Sequence, residues 1–247
     1  MRLVSLNIEA NLHYDTVLPF LKESKADVIC LQEVLEEDFE YLKNELGGEG
    51  KFTPWGFSHS PRERYKDFYG KTYGVAIFSK EIVDSGHIFY WGEEEYIKTP
   101  IDKFVENIET LRSYSFTWVD IEAENGNIYK VVTTHFPVTK EGESSPHQLE
   151  ILPSFFKNLN SLGDFVLCGD FNAPRGNKTF SEIAARYKDV IPKEYETSID
   201  QNLHRNKGIM FMVDGLFLTP KYTAENVVLV DGVSDHMAVV ATIYPHS

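Results

Sequence analysis

Apolar positions along the chain recur in two rhythms. Between Tyr14 and Ser24 they fall at helical spacing, placing Val17, Leu18 and Leu21 on one face, and a second helical stretch runs from Glu36 to Leu46. A third covers Pro146 to Leu159, where Pro153 is expected to bend the helix or split it in two. Short β-rich runs lie between these: Arg2 to Asn7, Val28 to Glu33, Tyr73 to Ser79, Asp164 to Gly169, Phe211 to Leu218 and Val239 to Ile243. Tyr114 to Glu122 and Ile128 to His135 read as an antiparallel pair, because Glu124-Asn125-Gly126-Asn127 between them holds the Asn-Gly dipeptide that tight hairpins favour.

No Ser/Gly linker, low-complexity block or composition break interrupts residues 1–247, so the chain reads as one domain, a length that two-sheet sandwiches reach as single units. Roughly nine or ten short strands with a few helices predict an α/β fold of two packed sheets with helices outside. A doubly wound parallel sheet is the alternative, and the Asn125-Gly126 hairpin argues against it. Gly50 to Lys71 and Gly86 to Thr110 fit neither rhythm and read as long loops, which in compact domains often carry function.

Composition adds ample core material, at 42% hydrophobic and 13% aromatic. The formal charge is -14, from 24 basic and 38 acidic residues. A domain that grips nucleic acid mainly by its phosphates carries a basic face, and this chain lacks that signal in bulk. Bound divalent cations would supply positive charge within a site instead. Cys30 and Cys168 both sit in apolar runs and read as buried free thiols. The opening apolar run is too short for a signal peptide, and no stretch approaches the ~20 apolar residues of a membrane span. The expectation is a cytoplasmic monomer with no stable membrane insertion.

The strands end in chemistry. Asn7, Glu33, His135, Asp170 with Asn172, Asp214, and Asp235 with His236 all fall where a strand leaves or enters the core. One acid in such a place commonly caps a turn. A set made only of carboxylates, amides and imidazoles suits a hard cation such as Mg²⁺ or Mn²⁺ with a proton-transferring histidine. That combination serves phosphate-ester hydrolysis.

The residues also come in phrases: Leu31-Gln32-Glu33-Val34, Thr134-His135-Phe136-Pro137, Gly169-Asp170-Phe171-Asn172-Ala173-Pro174, Val213-Asp214-Gly215-Leu216 and Ser234-Asp235-His236. In this order they resemble the endonuclease/exonuclease/phosphatase superfamily, which includes deoxyribonuclease I, over Leu6 to Val240. The resemblance implies a four-layer α/β sandwich with two mainly antiparallel sheets. It implies Glu33 as principal metal ligand supported by Asn7, with Asp235 as an additional metal or phosphate contact. It matches Asp170 to the residue that orients the attacking water, and Asn172 to its neighbour on water or phosphate. His236 is matched to the general base, Asp214 to the carboxylate that orients it, and His135 to the histidine on a phosphate oxygen. Arg112 corresponds to a phosphate-binding arginine or a solvated strand-edge residue. Asp200 and His204 lie in a loop expected to face substrate, with turn capping an equal reading for Asp200.

The remaining histidines, including His13, are expected at the surface or in loops. The implied substrate is a phosphate ester, DNA or RNA first, with the aromatic-rich stretch Trp55 to Tyr73 able to stack bases. A phospholipid phosphodiesterase, a small-molecule or inositol phosphatase and a catalytically silent binding module are the alternatives.

Overall fold

The computed structural model describes residues 1–57, 63–93, 113–123, 126–139 and 142–246. Two six-stranded mixed sheets face each other. The first runs β11(Tyr222–Val230)-β12(Ala238–Pro245)-β1(Arg2–Asn7)-β2(Val28–Leu35)-β4(Thr72–Ser79)-β3(Glu49–Phe57). The second runs β5(Asp84–Trp91)-β6(Tyr114–Glu122)-β7(Ile128–His135)-β8(Val166–Asp170)-β10(Asp214–Leu218)-β9(Lys188–Asp189). Each sheet contains one parallel pair, β1 with β2 and β7 with β8. Parallel neighbours need a crossover, and helices α1 (Tyr14–Ser24) and α3 (Pro146–Asn160) lie on those two connections. Among the described residues, α2 (Phe39–Leu46) and α4 (Lys178–Ala184) are the other α-helices.

Strand alternation explains the layering. In β1, Leu3 faces the other sheet, in one cluster with Val28, Cys30, Val131, Val166 and Cys168. Its neighbours Val4 and Leu6 turn the other way, onto Val17, Leu18 and Leu21 of α1. In β7, Val131 enters the inter-sheet core while Val132 packs with Ile151, Phe155 and Leu159 of α3. Strands apolar on both faces belong inside such a sandwich. Cys30 and Cys168 are free, fully buried thiols within it, as their apolar neighbours indicated.

Several expectations needed correction. Gly50 to Lys71 is not a loop throughout: it begins with β3 and includes a 3-10 turn over Glu63–Phe68. Pro54 and Gly56 disguised the strand, and proline is tolerated because β3 is the sheet's edge. Gly86 to Thr110 likewise begins inside the edge strand β5, and its remainder from residue 94 lies outside the described residues. The turn residues 124 and 125 also lie outside them, although β6 and β7 do pair antiparallel. Pro153 does not divide α3 into two elements. The helix is continuous, started by Ser145 Oγ accepting from Gln148 N at 3.1 Å, and held to the sheet by Ile151, Phe155 and Leu159. The half-exposed strand β11 was missed because a bulge between Glu225 and Val228 breaks its alternation.

Candidate active site

Strand register assembles the site. Parallel pairing sets Asn7 beside Gln32, next to Glu33. On the second sheet His135 lies opposite Asp170, and Asp170 opposite Asp214. Five chemically active strand ends therefore meet at one rim of the sandwich. The sixth contribution comes from the loop before β12, which Thr197–Asp200 clamps: Met237 N donates to Ser198 O at 2.7 Å and Asp200 N to Asp235 O at 2.9 Å.

Local backbone distortion aims the side chains. A bulge between Leu31 and Val34 takes Glu33 out of alternation with φ 57°, and Asn172 stands at φ 48°. Non-glycine residues in the left-handed region concentrate at functional sites, where surrounding contacts hold the strain. Here Ala10 N donates to Glu33 O at 3.1 Å, and Asn172 N donates to Asp170 Oδ1 at 2.8 Å.

Asn7 is the bracket between the sheets. Its Nδ2 donates to Glu33 Oε1 at 3.1 Å and to Asp170 Oδ2 at 3.2 Å, while its Oδ1 accepts from Glu9 N at 3.1 Å. If Glu33 holds a cation, Asn7→Ala is expected to weaken binding of Mn²⁺ by about 10- to 100-fold, the usual cost of removing a group that orients metal ligands. Titration of Mn²⁺ by electron paramagnetic resonance measures it.

His236 Nδ1 and Asp214 Oδ2 are 2.8 Å apart, and His236 Nε2 faces Asp170 Oδ2 at 3.9 Å. Burial disfavours charge on His236, but the carboxylates of Asp214 and Asp170 outweigh it and raise the imidazole well above its ordinary range. The same carboxylates make it a strong proton acceptor. His135 Nε2 stands 3.5 Å from both Glu33 Oε1 and Asp170 Oδ2, with its ring stacked on Trp55 at 5.0 Å. Burial pulls His135 down, and its hydrogen bonds to Asp170 and Glu33 push it up to about 9. Asn172 Nδ2 donates to Phe136 O at 2.9 Å and lies 3.4 Å from His135 Nε2.

The donor set fits a hard divalent cation. Burial drives the Asp235 carboxyl up to about 7; His236 opposes that shift, and the Glu9 and Glu33 carboxylates add to it. Carboxylates crowded in this way are relieved by a cation among them. Oxygen donors without a thiolate favour Mg²⁺ or Mn²⁺ chemistry.

Two expected substrate contacts part company. Asp200 is buried, with Oδ1 accepting from Asn202 N and Leu203 N and Oδ2 from Gly232 N at 2.6 Å. It therefore caps turns and holds the Asp235 loop. His204 lines the cleft, and Arg112 lies outside the described residues.

Sequence reasoning missed Glu9 and its partners. His13 is buried rather than at the surface, with Nε2 3.0 Å from Glu9 Oε2. Arg64, Tyr65 and Arg205 converge on the same carboxylate. An acidic residue two positions beyond the first strand end was the available signal. The cleft of about 440 Å³ is lined by Trp55, Tyr73 and Phe211 together with His204 and Arg205.

The sequence profile of the Endonuclease/Exonuclease/phosphatase family matches residues 4–236. No curated protein sequence matches the chain. Among solved structures it is similar to an endonuclease/exonuclease/phosphatase from Bacteroides vulgatus, at 19% identity and TM-score 0.70 over 99% of this chain and 98% of that one. The mannosyl-6-phosphatase Bt3783 of Bacteroides thetaiotaomicron matches at 13% identity and TM-score 0.69, covering 99% of each chain. The human Nocturnin catalytic domain with bound sulfate matches at 17% identity and TM-score 0.72, over 100% of this chain and 94% of that one. Among the described residues, no helix is long and apolar enough to cross a membrane.

Proposed function

Since the chain belongs to the endonuclease/exonuclease/phosphatase family, we propose that it hydrolyses a phosphodiester of nucleic-acid type with Mg²⁺ or Mn²⁺. The observation that carries this reading is the His236–Asp214 pair at 2.8 Å, whose other ring nitrogen faces Asp170 in a cleft that Glu33 also lines. His236 Nε2 takes the proton of the attacking water, and Asp214 fixes the tautomer and stabilises the imidazolium. Asp170 orients that water, and Asn172 steadies the phosphate oxygen. The new phosphorus–oxygen bond forms as the ester bond breaks, and His135 Nε2 supplies a proton or hydrogen bond to the departing oxygen. Glu33 and Asp235 would hold the cation, with Asn7 supporting Glu33. Such an ion, when bound, polarises a phosphoryl oxygen as a Lewis acid.

A compact phosphate ester is the second reading, favoured by the cleft of about 440 Å³ and the charge of -14. The likeness to a sugar phosphatase is in keeping with it. The first test is hydrolysis of bis-p-nitrophenyl phosphate with Mg²⁺ or Mn²⁺. Activity is expected with either ion and is expected to vanish in EDTA; a rate indifferent to EDTA sinks the metal-dependent reading. A panel of single-stranded DNA, duplex DNA, abasic duplex, RNA, sphingomyelin and a sugar phosphate then assigns the ester. Turnover of the sugar phosphate alone replaces the nuclease reading with the second one.

A further inference from the structure

Glu9 organises a cluster beside the proposed reaction centre. Its carboxylate is 2% exposed and is held down at about 2, because burial is outweighed by hydrogen bonds from His13, Arg64 and Tyr65. Arg64 grips it side-on, Nε to Oε1 at 3.0 Å and Nη2 to Oε2 at 2.5 Å. Tyr65 Oη donates to Oε1 at 2.5 Å, and Arg205 Nη1 donates to Tyr65 Oη at 2.7 Å while standing 3.7 Å from the same carboxylate oxygen. Ligand atoms of Glu9, His13 and Asp235 lie within 4.8 Å of one another, so the cluster abuts the Asp235 side of the site.

The Glu9 carboxylate faces two guanidinium groups, with Asp235 the further carboxylate at the cluster's border. Among the described residues, no carboxylate accepts a hydrogen bond from Arg205, and its one ion pair is the 3.7 Å approach to Glu9 Oε1. Both arginine side chains are 36% exposed, and Arg205 lines the cleft. Among the described residues the Nε and Nη2 edge of Arg205 engages no protein acceptor, and this planar fork is the edge that pairs with two phosphate oxygens at once. Tyr65 and the buried Glu9 hold the guanidinium in place, so little side-chain freedom is lost on binding.

We propose that Arg205, backed by Arg64, Tyr65 and Glu9, is a second anion subsite that receives a phosphate adjacent to the one hydrolysed. The preferred substrate class is then a phosphate ester carrying a further phosphate, as in an oligonucleotide or a nucleoside bisphosphate. This rests on the phosphoesterase reading above.

The test is calorimetric binding of thymidine 3′,5′-bisphosphate and thymidine 5′-monophosphate to the full chain, with and without EDTA. Wild type is expected to prefer the bisphosphate about tenfold, in the range of a charge-assisted contact, and to keep that preference in EDTA. Arg205→Met, which leaves the Arg64–Glu9 contact in place, is expected to remove it, and Arg205→Lys to restore part of it. Equal affinity in wild type, or a preference unchanged by Arg205→Met, overturns the subsite. If the preference holds but bis-p-nitrophenyl phosphate is not hydrolysed with either metal, the anion site stands and its assignment to substrate falls.

Discussion

His236→Ala is expected to lower kcat on bis-p-nitrophenyl phosphate by about 10²- to 10⁴-fold, the range for removing a positioned proton-transfer group. The geometry explains the size. Asp214 Oδ2 is 2.8 Å from one ring nitrogen, and the other nitrogen points into the cleft toward Asp170. Alanine removes the acceptor and leaves Asp214, 3% exposed, as a buried carboxylate without its partner. Asp214→Asn is the companion variant, since it preserves shape and removes the charge that stabilises the imidazolium. The two losses should be far from additive, because the pair acts as one unit. A double variant whose loss equals the product of the single losses would show that the residues act independently and would sink the assigned pairing.

Glu33→Ala is the second large effect. It removes the carboxylate that Asn7 presents toward the cleft and that shares His135 with Asp170. Partners that merely orient metal ligands cost about 10- to 100-fold when removed, so loss of Glu33, the ligand proposed above, is expected to cost at least about 100-fold in Mn²⁺ affinity. Titration of Mn²⁺ by electron paramagnetic resonance reads this without any turnover. Affinity unchanged from wild type would move the ion to other residues of the cleft. Substitution also relieves the left-handed φ of 57° only if glycine is used, so Glu33→Gly is a useful comparison for separating strain from ligation.

The site was more legible than the fold's edges, for a physical reason. Asn7, Glu33, His135, Asp170, Asp214 and the Asp235-His236 pair sit at the ends of apolar runs, and a polar group there stands out against the pattern. Interior strands such as β1 and β8 are apolar on both faces and read easily. Edge strands β3 and β11 do not, because half-exposure, proline and bulges erase their period. The Glu9 cluster was hidden for another reason. Its members come from positions 9, 13, 64, 65 and 205, and only the folded chain shows that one buried carboxylate gathers them. Asp200 shows the converse: substrate contact and turn capping were equal readings of the sequence, and in the fold its oxygens are taken by three backbone amides.

The sheet order has one more consequence. Strand β12 pairs with β1, joining Arg2–Ser5 to Val239–Thr242 across almost the whole length of the chain. Closing so long a loop is slow, and during synthesis the partner strand does not yet exist. Until it docks, the edge of β1 opposite β2 has no partner. On the mechanism proposed above, the proton acceptor arrives late in synthesis, because His236 lies in the loop just before β12, the strand that completes the first sheet.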